Sequence, residues 1–236
     1  VNLEDMSNRT LERLDEIDAG DTAPSAVYYG AGGEVTAALN EAQRFFVLLT
    51  LALETTATFT LPAYGVDVTT PFYHMRSSYP DWLLPLRVTL LTGTRVRPTR
   101  IQDLDLFDSG WQTTTATAPL RYAALGFDFM VVYPQVEEEL AINITYAQAP
   151  VPLVSDTDVP QIPEEHHPDL VDYAVYRLRM KEGGQEFQKV LTYFNRFLDG
   201  AQAYGNYVRA RNIGSGYDKE PFEMELFDRS KLIMLR

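Results

Sequence analysis

Residues 33–62, GEVTAALNEAQRFFVLLTLALETTATFTLP, change period in their middle. Up to Leu53 the apolar side chains Val35, Ala38, Leu39, Ala42, Phe45, Phe46, Leu49 and Leu53 recur three and four apart. So wide a stripe predicts a core helix starting near Gly33. From Thr55 the run Thr-Ala-Thr-Phe-Thr-Leu alternates and is rich in β-branched residues, and Pro62 cannot continue a helix. The chain therefore passes here from a helical portion to a β portion.

Working outward, Leu3, Met6, Thr10, Leu11, Leu14 and Ile17 predict a short amphipathic helix over Leu3–Ile17, ended by the turn residues 18–21 and by Pro24. Downstream of Thr55, six extended runs stand between Gly, Pro, Asp and Ser clusters: Ala57–Leu61, Arg87–Leu91, Arg95–Arg100, Tyr122–Leu125, Phe127–Val132 and Leu140–Tyr146. The acidic triplet 137–139 reads as a solvated turn. After a polar linker, helical spacing returns at Leu170, Tyr173, Ala174, Tyr176 and Leu178, with Pro163 and Pro168 at the helix entrance. A long helix follows Gly183-Gly184, carrying Phe187, Leu191, Phe194, Leu198 and Ala201.

Each helix pair alone leaves an apolar face uncovered. The expected fold is therefore α+β: a helical bundle formed by the N- and C-terminal helices, with an inserted β-rich unit and an extended C-terminal arm. The expected boundaries are 1–54 with 164–211 for the bundle, 55–150 for the inserted β-rich domain, 151–163 for the linker and 212–236 for the arm. The arm holds Tyr217, Phe222, Met224, Leu226, Phe227, Leu232, Ile233 and Met234. So many large apolar side chains are poorly explained as a free tail, which predicts a docking segment.

The 236 residues include 33 acidic and 20 basic side chains, a formal net charge of −13, which disfavours a chain whose task is to neutralise nucleic-acid phosphates. The absence of cysteine excludes disulfides, thiolate nucleophiles and Cys-ligated metals. No apolar run reaches the roughly 18 residues that span a bilayer, so no membrane partner is expected and the chain reads as soluble.

Site chemistry has three candidates. His166 and His167 beside Glu164 and Glu165 are metal-ligand types, and a metal-dependent hydrolase is one alternative; but adjacent helical residues point about 100° apart, badly placed to share an ion. The aromatic residues Tyr64, Tyr73, Tyr79 and Trp82 would serve a β-sheet glycan-binding module as a stacking platform. Arg87, Arg95, Arg97 and Arg100 fit either a phosphate-binding face or a solvated strand face, with acidic residues 103, 105 and 108 close behind in sequence. Neither a nucleophile elbow nor an HExxH motif is present, and Gly30-Ala-Gly-Gly33 lacks the spacing of a phosphate loop. No catalytic residue, metal or cofactor is expected.

The order of signals carries more information. The run Ala38-Leu-Asn-Glu-Ala-Gln-Arg44, then Leu53-Glu-Thr-Thr-Ala-Thr-Phe-Thr60, the strand pair between Leu125 and Pro134, the exit from Tyr146 to Pro152, and Ile162-Pro-Glu-Glu-His-His-Pro-Asp-Leu-Val-Asp-Tyr-Ala-Val-Tyr176 together resemble the head-to-tail adaptor (connector) proteins of tailed bacteriophages. The resemblance covers about residues 33–211. It implies a non-enzymatic structural protein of the virion neck, assembled in the host cytoplasm. Such a protein forms a homo-oligomeric ring of twelve copies that joins the portal protein to tail or nozzle proteins, and DNA passes its channel without specific binding. The arm, in that picture, reaches the portal. Asn40, Glu41, Arg177, Arg196, Tyr204 and Tyr207 are the candidate subunit-interface residues. An acidic channel would repel the phosphate backbone, a use for the net charge. Residues 62–85 depart from the compact family pattern.

Overall fold

The computed structural model describes residues 1–15, 33–181 and 187–213, the side chains of 187–189 and 209–213 excepted. The chain divides into two compact units, one of Val1–Leu53 with Pro150–Ala210 and one around Glu54–Ala149.

In the first unit, helix α1 (Leu3–Arg13) opens on a reciprocal cap. The Asn2 side chain accepts from the Asp5 amide at 2.9 Å, and the Asn2 amide donates to Asp5 Oδ2 at 3.3 Å. The next free amides, of Leu3 and Glu4, donate to the carbonyls of Asp158 and Asp156 at 2.8 and 3.1 Å. Helix α2 (Glu34–Thr50) starts from Gly33 at φ 75° and stops at Leu51, which takes a left-handed φ of 54°. That turn ends the helix before Leu53, where the apolar stripe alone would have carried it.

The segment Pro150–Pro163 is an irregular strap held by α2. Asn40 donates to the Leu153 carbonyl at 2.9 Å and accepts from the Leu153 amide at 2.7 Å, and Gln43 donates to the Val151 carbonyl at 2.9 Å. The strap buries Leu153 and Ile162. After a 3₁₀ turn at Glu164–His166, α5 (His167–Arg179) packs on α1 and α2. Helix α6 (Phe187–Ile213) joins them through rings: Phe197 lies 4.9 Å from Tyr173 and 5.7 Å from Phe45. A Cβ on Gly200 would fall inside the Asp169 carboxylate, so α6 approaches α5 where it has no side chain.

In the second unit, between Glu54 and Ala149, nine strands and two short helices alternate. The strands are β1 (Glu54–Leu61), β2 (Phe72–His74), β3 (Trp82–Leu90), β4 (Arg95–Pro98), β5 (Thr115–Ala116), β6 (Arg121–Leu125), β7 (Phe129–Tyr133), β8 (Gln135–Val136) and β9 (Leu140–Gln148). The helices are α3 (Met75–Ser78) and α4 (Ile101–Phe107). Seven strands form one sheet in the order β1-β9-β3-β4-β6-β7-β2, and β5 pairs with β8 separately. All pairs of the large sheet are antiparallel except β4 with β6. Pro85 sits within β3 next to a register shift, where the ladder is already interrupted.

Successive residues of a strand face opposite sides. Thus Val88, Val96, Tyr122, Met130, Val132, Ile142 and Ile144 form the main core on one face, with Trp82 and Tyr146. Ala123, Val131 and Tyr133 form a smaller one on the other, closed by Leu104 of α4 and by Trp111.

A helical bundle as the framework is therefore corrected: the protein is a mixed α+β structure dominated by a large, curled seven-stranded sheet, with six α-helices among the described residues. Two physical causes stand out. The strap takes up backbone and side-chain hydrogen bonds of α1 and α2, so these helices pack on irregular chain as well as on each other. Residues 62–85, unassigned from sequence, supply β2, α3 and the start of β3. Six expected strands become nine, and the run 95–100 divides into β4 and the entrance of α4.

Asn40→Ala leaves the Leu153 amide and carbonyl without partners, which is expected to destabilise the helical unit by about 2 kcal/mol in urea unfolding. A change below about 0.5 kcal/mol would contradict the clamp. Gly200→Ala tests the close approach by its sign. Helix propensity alone favours alanine by roughly 1 kcal/mol, yet the half-buried Asp169 carboxylate in the way makes net destabilisation the expected outcome, relieved in the Gly200→Ala, Asp169→Ala double variant. A stabilised single variant would contradict it.

Candidate docking surfaces

The two helices α2 and α5 meet through charged and phenolic groups. The Tyr173 hydroxyl donates to Glu41 Oε1 at 2.9 Å, and Arg177 Nε donates to Glu41 Oε2 at 3.2 Å. Burial, helped by the Glu41 charge, pushes the Tyr173 phenol well above its ordinary range. One turn away Lys181 pairs with Glu34, and Arg13 of α1 reaches the buried Asp172. Burial raises the Asp172 carboxyl above its usual value, opposed by Arg13 and Arg196. Of the proposed interface residues, Asn40, Glu41 and Arg177 thus have partners inside the chain.

Helix α6 treats its aromatic residues unequally. The buried Phe197 and the half-buried Phe194 both stack on Phe45 and lie tilted to the Tyr173 ring. Tyr204 is half-buried, its ring 5.9 Å from that of Phe46 and 4.8 Å from that of His166. Tyr207, one turn on, is 61% exposed, and the exposed Arg196 guanidinium lies 5.8 Å from the Tyr193 ring. An outward row of Arg196 and Tyr207 remains available for a neighbour. Tyr217, Phe222, Met224, Leu226, Phe227, Leu232, Ile233 and Met234 lie outside the described residues.

His166 ends the 3₁₀ turn and His167 opens α5, and the two rings take different partners. His166 Nδ1 is 2.9 Å from Asp169 Oδ2, whereas the buried His167 places Nε2 2.9 Å from the Ile162 carbonyl. Burial raises the Asp169 carboxyl, with the His166 bond opposing the shift. Among the described residues no three His, Cys, Asp or Glu side chains come together as metal ligands. These contacts orient the start of α5 and hold the strap to it.

The aromatic set 64, 73, 79 and 82 makes no platform. Tyr73 and Trp82 are core residues, and burial pushes the Tyr73 phenol up to about 12. The Tyr73 hydroxyl donates to Gln135, and that of Tyr79 to the Thr58 carbonyl at 2.8 Å. The second face of the sheet is different. Thr56 bonds Thr145 at 3.0 Å and Thr58 donates to Asn143 at 2.9 Å, matching the β1–β9 register and making a polar surface. Arg87, Arg95 and Arg97 belong to it, and so does Arg121, which only the strand pairing reveals. Alternation at 95 and 97 was the signal in the sequence; Arg121 lies too far along the chain for any local pattern to find.

Exposed apolar side chains mark both units. Leu106 and Phe107 at the end of α4 are 88% and 63% exposed, and Val154 on the strap is 82% exposed. No described helix is long and apolar enough to cross a membrane. Exposed apolar side chains of this size suit contact faces for other proteins.

Comparison with known proteins agrees with this character. No curated protein matches the chain, but a family model described as SU10 adaptor protein matches residues 1–216. A match of that extent covers both compact units and shows the family. The head-to-tail adaptor resemblance read from the sequence stands with it, and the protein is a structural adaptor and virion component of a bacteriophage, made to contact other virion components. The chain belongs to the SU10 adaptor protein family.

Proposed function

We propose that this adaptor forms a ring of twelve copies between the portal and the tail and leaves a channel through which DNA passes. The family match over residues 1–216 carries the reading. In it, residues 1–54 with 164–211 form the body of the ring, residues 55–150 reach both a neighbouring copy and the tail or nozzle proteins, and residues 212–236 dock on the portal. The outward Arg196 and Tyr207 and the half-buried Tyr204 contact the next subunit. Asn40, Glu41 and Arg177 contribute by fixing the helix faces that meet it.

The net charge of −13 suits a wall past which a polyanion must slide, because like charge disfavours adhesion of the phosphate backbone. The apolar side chains of the arm suit a segment that docks on a partner. Catalysis has no part in this function.

Electron microscopy of the protein alone and mixed with portal rings tests the proposal. Closed rings stacked on the portal are the expected result, and single subunits in both samples would contradict it. Truncation after residue 211 is expected to abolish attachment to the portal while leaving thermal unfolding unchanged. Undiminished attachment would remove the arm from the account.

A further inference from the structure

We propose that the arginine-bearing face of the seven-stranded sheet docks on the acidic, valine-bearing end of the helical unit of a second copy of this chain, an inference that rests on the ring reading above. Strand pairing fixes the basic side. Arg87 and Thr89 are two apart on β3, Thr89 pairs with Arg95, Arg95 and Arg97 are two apart on β4, and Arg97 pairs with Arg121. Residues two apart and residues paired across strands share a face. All four arginines therefore lie on the face opposite the core residues Val88, Val96 and Tyr122.

Arg97 and Arg100 are exposed, and so are Thr56, Thr58 and Thr60, which extend this polar surface. At its border the Arg121 guanidinium lies 4.8 Å from the centre of the Phe107 ring, beside the exposed Leu106 and Leu120. Every basic residue between Glu54 and Ala149 is arginine and none is lysine. Arginine is the cation suited to paired, partly desolvated contacts with carboxylates. Arginines beside an exposed aromatic ring match the composition of protein interfaces, whereas a phosphate backbone offers nothing to cover Phe107 and Leu106.

The complementary surface is on the helical unit, whose residues 1–53 and 150–210 hold twice as many acidic as basic side chains. The hydrogen bonds from Leu3 and Glu4 to the strap bring Glu4 and Asp5 to Asp156. The Val1 amine, 3.4 Å from Glu164, places Glu164 and Glu165 at the same end. Val151, Val154 and Val159 stand exposed along that strap. One surface is thus basic with apolar anchors, and the other acidic with apolar anchors. Two different complementary faces on one subunit make a heterologous contact, the kind that closes rings.

Charge reversal tests the pairing on the full chain, alone and on portal rings, by sedimentation and microscopy. Arg97→Glu with Arg121→Glu, and separately Asp156→Arg with Glu165→Arg, are each expected to leave the protein as single subunits with thermal unfolding unchanged. Mixed in equal amounts, the two variants present opposite charges again and are expected to recover assembly. Wild-type assembly should weaken as salt rises. If both variants assemble as the wild type does, or if the folded mixture does not recover, this inference fails while the ring reading stands. Wild-type protein that stays single under all these conditions would instead refute the ring reading itself. Normal assembly of the arginine variant with loss of duplex DNA retention would give the face to nucleic acid and overturn the proposal.

Discussion

The double hydrogen bond between the Asn40 side chain and the backbone of Leu153 is the contact on which the helical unit depends. It converts a proline-rich stretch with no regular structure into a fixed strap. The strap in turn satisfies the first amides of α1, buries Leu153 and Ile162, and receives the His167 ring at the Ile162 carbonyl. Without an amide at this position the strap would lose a side chain that both donates to and accepts from Leu153. The acidic end described above would then have no defined shape, because Asp156, Glu164 and the start of α1 are placed by that path.

Much of this was legible. The loss of helical period at Thr55 marks the end of α2 and the start of β1 within a few residues, since helix and strand bury side chains at different spacings. Pro168 and the acids before it mark the entrance of α5. What the sequence could not carry depends on partners distant in the chain. Leu51 in a left-handed conformation has no local signature, because glycine and asparagine are the residues expected there. Strands of two or three residues, such as β2, β5 and β8, are too short to show a period. Four amphipathic stripes predict a helical bundle. Periodicity reports that a face is buried but not whether a helix, a sheet or a strap buries it.

The same division holds for the surfaces. The alternation of Arg95 and Arg97 is visible by eye, but Arg87 and Arg121 join them only through the β3–β9, β3–β4 and β4–β6 registers. Glu41 and Arg177, expected at a subunit interface, meet each other within one chain, and Glu41 also accepts from the Tyr173 hydroxyl. His166 and His167 looked like ligands because of their type. At the junction of the 3₁₀ turn and α5 each ring finds its own partner, Asp169 for His166 and the Ile162 carbonyl for His167.

An adaptor works by presenting several faces at once, so its central claim concerns its place in the particle. The most direct measurement is averaging of the neck region in intact virions by cryo-electron microscopy. Twelve copies of this chain in a closed ring between portal and tail, with an open channel along the axis, are the expected result. A neck without this chain, or one in which it sits as separate subunits outside the channel, would contradict it.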